Sequence, residues 1–188
     1  MPVDITFTLS DKDIKRFQDI VVAAQANMST SQNLQEIERA AYKLVDVAMQ
    51  VDLPDFVAER LLQLKVLLNM VKDSEWNISE GERNRILGAM TYFSDPIDLI
   101  PDHIPGIGFL DDAIYVEIVA RELKTEIDAY NEFRTFITQQ EERLKAGDLG
   151  VETDRESWIS TKRSELHTRI QDARENDDGE DKFIFHLL

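Results

Sequence analysis

Five aspartates and one histidine fall within the nineteen residues SDPIDLIPDHIPGIGFLDD, Ser94 to Asp112, with no lysine or arginine among them. Carboxylates gathered without a cation can share a hard divalent metal. Asp98, Asp102 and Asp112 are the three that can converge as oxygen ligands for Mg2+ or Ca2+. An ion held there would act as a Lewis acid on a phosphoryl oxygen, so the chemistry to weigh is metal-dependent hydrolysis of a phosphorylated substrate. His103 sits between these acids as a potential ligand or general base. A lone histidine with no defined partner reads more simply as an exposed loop residue.

The same residue types have a second explanation in backbone geometry. Asp95 is placed to cap a short helix, with Pro96 in its first turn and Asp98 at the third position. Pro101 limits that helix to about one turn, because it drives residue 100 out of helical geometry. Pro105-Gly106-Ile107-Gly108 reads as a tight turn, in which glycine supplies positive φ where it is needed. Asp111 and Asp112 then occupy the first turn of the next helix, where carboxylates meet unsatisfied N–H groups and the positive end of the dipole. Asp112 lies four residues before Val116 and points inward; Asp111 is turned about 100° away and does not share that face. On this reading the bend is architecture first, its oxygens taken up by nearby amides, and a metal site is the alternative.

The elements around the bend are helical. Ser10 and Asp13 open a first helix with Ile14, Phe17, Val21 and Ala24 on one face. Leu34, Ile37, Ala41, Leu44, Ala48 and Val51 form the seam of a second, and Asp52 and Pro54 separate it from a third. The third carries Val57, Leu61, Leu64, Leu68 and Val71, with Phe56, Leu62, Val66, Leu67 and Met70 off that stripe. Apolar over much of its circumference, it is expected at the centre. Ser79 and Glu82 form a capping box for a fourth helix with Ile86, Met90 and Phe93 inward. Beyond the bend the pattern Val116, Val119, Leu123, Ile127, Tyr130, Phe133, Ile137 runs as one helix from about Leu110 toward Leu144. At 1.5 Å per residue it would be roughly 50 Å long, more than one core covers. SWISTKRSELHTRIQDARE has few apolar positions and reads as a satellite helix, followed by the acidic run ENDDGEDK and the apolar end FIFHLL.

Composition narrows the function classes. The chain has 188 residues, 43% hydrophobic and 31% charged, which suits a globular protein with a sizeable core. Its net charge of −16 opposes direct binding to nucleic-acid backbone and docking on anionic lipid, and favours a basic partner or a cation. There is no cysteine, so disulfides and thiolate chemistry are excluded. No apolar run approaches the roughly 20 residues of a membrane span, and MPVDITFTLSDKDIKRF lacks the layout of a signal peptide, which together predict a cytoplasmic protein. No P-loop, nucleophile elbow, EF-hand or His/Asp metal spacing occurs.

The residues Pro96, Asp98, Leu99, Ile100, Pro101, Asp102, Ile104, Pro105, Gly108, Asp111 and Asp112 carry a resemblance. They are similar to the signature of the YkvA-like domain, a widespread small bacterial domain of unknown function, in which such a segment joins two helices. With its flanking helices the resemblance covers about residues 83–125. That family usually has an apolar or aromatic residue where this chain has His103, which argues against a role for the histidine. The resemblance implies a shared module and no particular activity.

The sequence therefore predicts an all-α helical bundle of about five to six helices with a Pro/Asp-rich corner. Residues 1–150 form the bundle, including the signature region, and residues 151–188 a satellite helix and tail. The expected function is a non-enzymatic helical interaction module without a cofactor, engaging a protein partner or a second copy of itself. The alternative is a cation-binding protein or metal-dependent hydrolase using Asp98, Asp102 and Asp112.

Overall fold

A helix that is apolar around most of its circumference has to be surrounded, and the one at Asp55–Lys72 is. The computed structural model describes residues 31–94, 108–146 and 155–176, together with Ser10, Lys12, Lys15 and Asp19. Those residues hold α1 (Ser31–Ala48), α2 (Asp55–Lys72), α3 (Glu80–Ala89), a 3-10 turn (Thr91–Ser94), α4 (Leu110–Glu122), α5 (Lys124–Ala146) and α6 (Arg155–Glu175), and no strand. The fold is all-α. Helix α2 packs against α1, α3, α4 and α5, and buries Val57, Leu61, Leu64, Leu67, Leu68, Met70 and Val71. Of the other residues off its stripe, Val66 is partly buried, while Phe56 and Leu62 are exposed.

Helix α1 lies antiparallel to α2. The ammonium of Lys72, at the end of α2, pairs with Glu38 near the start of α1 at 2.8 Å and sits 4.1 Å from the Tyr42 ring centroid. Arg83 of α3 reaches the same carboxylate at 2.8 Å. Ile37, Ala41, Val45 and Ala48 form the buried seam. The sequence pattern extended that seam to Val51, but α1 ends at Ala48. Met49, Gln50 and Val51 form a turn in which their N–H groups bond the carbonyls of Val45, Val47 and Ala48, and Val51 is half exposed. Of the helix expected before α1, Lys12, Lys15 and Asp19 are helical and exposed. Its apolar face, Ile14, Phe17, Val21 and Ala24, lies outside the described residues.

The capping box is formed as expected: the Ser79 hydroxyl accepts the Glu82 N–H at 3.2 Å, and the Glu82 carboxylate accepts the Ser79 N–H at 3.3 Å. The connection from α2 to α3 is organised by Asp73. One of its oxygens accepts the N–H groups of Glu75 and Trp76, while the other accepts the Tyr130 hydroxyl at 3.0 Å and Arg134 at 3.2 Å from α5. This hub seats Trp76 fully inside, against Tyr130, Phe133 and His167.

The single long helix expected after the bend is two. It is interrupted at Leu123, whose backbone (φ −95°, ψ 19°) leaves helical geometry while its side chain is completely buried. The interruption lets α4 pack on α2 while α5 pairs with α6, so neither half runs out of core to cover. The last helix, α6, places Ile159, Leu166 and Ile170 in the same apolar cluster as α1–α5. Its charges complete the attachment: Arg163 donates to the Glu75 carbonyl at 2.9 Å, and Arg169 pairs with Glu132 at 2.6 Å.

His167 on α6 sets a pH dependence. Burial lowers its pKa below the ordinary value, Arg163 and Arg174 push the same way, and Glu82 opposes them. The native state therefore holds fewer protons on this ring than the unfolded chain does. Stability from this residue is whole above about pH 6.5, falls as the pH drops below that, and levels off under the depressed native value. Urea denaturation at pH 8, 6 and 5 is expected to show a loss that His167→Gln reduces. Equal slopes for both proteins would contradict it.

Candidate functional site

The 3-10 turn and the first turns of α4 are the two described ends of the acidic bend, and aromatic side chains join them. Tyr92 stacks on Tyr115 of α4 with centroids 4.6 Å apart, and Phe93 meets the same ring edge-on at 5.3 Å. A buried tyrosine needs a partner for its hydroxyl. Tyr115, with no exposed surface, donates to the carbonyl of Ala89 at the end of α3. Burial pushes its phenol far above the usual range, so it stays a neutral donor. Tyr92 donates to Asp111 Oδ2 at 2.8 Å, across nineteen positions of chain. Thr91, also buried, donates to the Gly88 carbonyl at 3.0 Å. The closure is thus made by one aromatic stack and hydroxyl groups with assigned acceptors.

Asp112 is inward, as its register with Val116 required, with 5% of its surface exposed. Asp111 is buried too, at 2%, although it is turned away from that face. The reason is that α4 is covered on several sides: every residue from Asp111 to Val116 is buried. Both carboxylates stand in the first turn of α4, where the helix dipole favours negative charge. The bond that Asp111 accepts from Tyr92 is to a side-chain hydroxyl rather than to the backbone amide expected from its cap position. Asp98, Asp102 and His103 lie outside the described residues, as do Asp95 and Pro96; of the Pro105–Gly108 turn only Gly108 is described, buried and next to the helix start. Among the described residues no group of three or more His, Asp or Glu side chains is set to hold a metal ion.

Tyr92 and Tyr115 were not evident as functional positions from the sequence. The available signal was Tyr92-Phe93 directly before the signature and a tyrosine at the fourth position after Asp111, a pair of large rings flanking a segment rich in small turns. Removing the Tyr92 hydroxyl with Tyr92→Phe is expected to cost about 1.5 kcal/mol, because a buried carboxyl group loses a donor. Denaturant unfolding checks it, and a change of under a few tenths of a kcal/mol would show that Asp111 does not depend on that bond.

A second charged cluster joins α3, α5 and α6. Glu126, at the start of α5 and 5% exposed, accepts from Arg85 of α3 and from Arg174 of α6 at 2.9 Å. Arg174 also reaches Glu82 at 3.2 Å. Three helices are pinned at one buried carboxylate.

Comparison with known proteins addresses the same segment. Residues 84–117, from α3 through the bend into α4, match the family described as protein of unknown function, DUF1232. A relative from Bacillus subtilis strain 168, uncharacterized membrane protein YkvA, is 37% identical over 77 residues, which cover 38% of this chain and 71% of that protein. The chain belongs to the DUF1232 family. The described ends of the matched DUF1232 segment include Tyr92, Asp111 and Tyr115, so both ends of the family signature are packed in the bundle. No solved structure matches the chain. The relative is called a membrane protein; among the described residues of this chain, no helix is long and apolar enough to cross a membrane.

Proposed function

We propose that this DUF1232 protein is a non-enzymatic helical interaction module that works in the cytoplasm. The observation that carries the reading is a set of large apolar side chains held in water on a rigid frame. Val47, Met49, Val51, Phe56 and Leu62 are between 38% and 65% exposed. The helices that bear them are fixed by a core running from α1 to α6 and by ion pairs between helices. Four of the five fall between Val47 and Phe56, and apolar surface gathered on an otherwise charged protein marks a place where another molecule binds. A net charge of −16 directs that surface toward a basic partner. The DUF1232 corner serves as the joint that sets α3 against α4.

The test is partner retrieval with reciprocal confirmation. The chain, tagged in cells that express it naturally, should bring down a protein that in turn brings down the chain and binds it saturably when both are purified. A chain that is monomeric by light scattering and yields no partner surviving the reciprocal step overturns the reading.

The second reading is a divalent-cation site at Asp98, Asp102 and Asp112, supporting hydrolysis of a phosphorylated substrate. What favours it is Asp112, a buried carboxylate beside a second buried carboxylate. Calorimetric titration with Mg2+, Ca2+ and Mn2+ decides it: saturable heat that Asp112→Asn removes supports the site, and absent or unchanged heat rejects it.

A further inference from the structure

We propose that the tip of the α1–α2 hairpin is the docking surface, and that its occupant is a basic amphipathic helix of a partner protein; this rests on the interaction-module reading and specifies it. Because α1 and α2 are antiparallel, with Lys72 and Glu38 marking one end, the six-residue link Met49–Pro54 defines the other. Four of the five large apolar residues exposed among the described residues sit within ten positions at that end: Val47 (39% exposed), Met49 (65%), Val51 (50%) and Phe56 (38%). Leu53 between them turns toward the core, so the link is held down while its neighbours stay out.

Charge selects the occupant. From Asp46 to Glu59 there are four carboxylates, Asp46, Asp52, Asp55 and Glu59, all exposed, and no lysine, arginine or histidine. The next base, Arg60, is engaged by Glu59 at 3.3 Å and by Glu117 of α4, with its guanidinium 4.8 Å over the Phe56 ring. The tip is therefore an apolar centre inside an acidic rim, with an unbranched, adaptable methionine as its most exposed member. A helix with Leu-type anchors on one face and Lys or Arg flanking them matches both features. The other occupants meet like charge. Anionic lipid is repelled by the rim, and a second copy would bring two acidic tips together. The chain's own FIFHLL follows the acidic run ENDDGEDK.

The experiment uses the full chain and three synthetic helices of about 18 residues, long enough for five turns. One has a leucine face flanked by lysine, one has the same residues scrambled so that no face forms, and one has glutamate in place of lysine. The proposal expects micromolar binding of the first alone by fluorescence anisotropy, with backbone amide shifts centred on residues 47–56. It expects added salt to weaken binding. It also expects the double variant Met49→Ser/Phe56→Ser to lose about tenfold or more, equivalent to roughly 1.4 kcal/mol, with an unchanged melting temperature confirming that the variant folds.

Equal binding of the scrambled peptide, shifts centred elsewhere, or full affinity in the double variant would overturn the tip as the site. Concentration-dependent dimerisation through residues 47–56, binding of phosphatidylglycerol vesicles there, or contacts from Phe183 and Ile184 to Met49 would overturn the basic partner. Each of these outcomes leaves the module reading to its own test, which it fails when the chain is monomeric and reciprocal retrieval finds no partner.

Discussion

Trp76→Ala is expected to destabilise the protein by about 3–5 kcal/mol, the range for removing a large aromatic ring from a packed interior. Trp76 lies in the seven-residue connection between α2 and α3 and is 1% exposed. Its ring meets Phe133 at 5.0 Å and Tyr130 at 5.7 Å on α5, and His167 at 4.4 Å on α6, so it joins the first half of the chain to the second. The cavity cannot close easily, because Asp73 holds the backbone on one side through bonds to the Glu75 and Trp76 amides. Urea unfolding followed by circular dichroism reads the effect. A loss below about 1.5 kcal/mol would mean that the ring is far less enclosed than it is here.

Glu126→Ala is the second large effect, expected at about 2–3 kcal/mol. Removing one member of a buried ion cluster leaves the others without their counter-charge, which in fully buried cases costs about 3–5 kcal/mol. Here the stranded guanidiniums keep some contact with water, at 24% exposure for Arg85 and 31% for Arg174, so rehydration recovers part of the loss. Arg174 also retains Glu82. The readout that separates this from ordinary truncation is local. Amide exchange in the last turns of α6 should accelerate in Glu126→Ala more than exchange in α2, because Glu126 fastens the C-terminal end of α6. Uniform acceleration throughout the chain would contradict a pinning role.

The all-α class was legible because each seam reports its own helix. Ile37, Ala41 and Ala48, and Val57, Leu61, Leu64, Leu68 and Val71, are the buried faces that their spacing announced. Residues off the stripe marked α2 as central, and the serine and glutamate of the capping box fixed the start of α3. Periodicity is silent about partners far away in the chain. The interruption at Leu123 carries neither glycine nor proline, so no local signal announces it; what the structure shows is that the two halves pack on different partners, α2 and α6. The last helix looked sparse in apolar residues, yet three buried side chains and ion pairs to Glu75, Glu132 and Glu126 tie it to the bundle. Those pairs span 37 to 80 positions, beyond any local pattern.

Of the candidate site, the inward direction of Asp112 followed from one-turn register with Val116. The burial of Asp111 did not, since it depends on Tyr92 arriving from the other end of the bend. That arrival is also why the DUF1232 signature reads as a joint: its two described ends are held by rings and hydroxyls with defined acceptors. Asp98 and Asp102 fall outside the described residues, and the metal alternative rests on them.

The most direct test of the architectural role of these carboxylates is the unfolding free energy of wild type, Asp111→Asn and Asp112→Asn, each measured in EDTA and in excess Mg2+ or Ca2+. The account predicts that both variants lose about 1–3 kcal/mol in EDTA, the cost of disturbing a buried hydrogen-bonded carboxyl group, and that the ions change none of the three. Variants as stable as wild type in EDTA, with a saturable gain on adding the ion that only wild type shows, would contradict it.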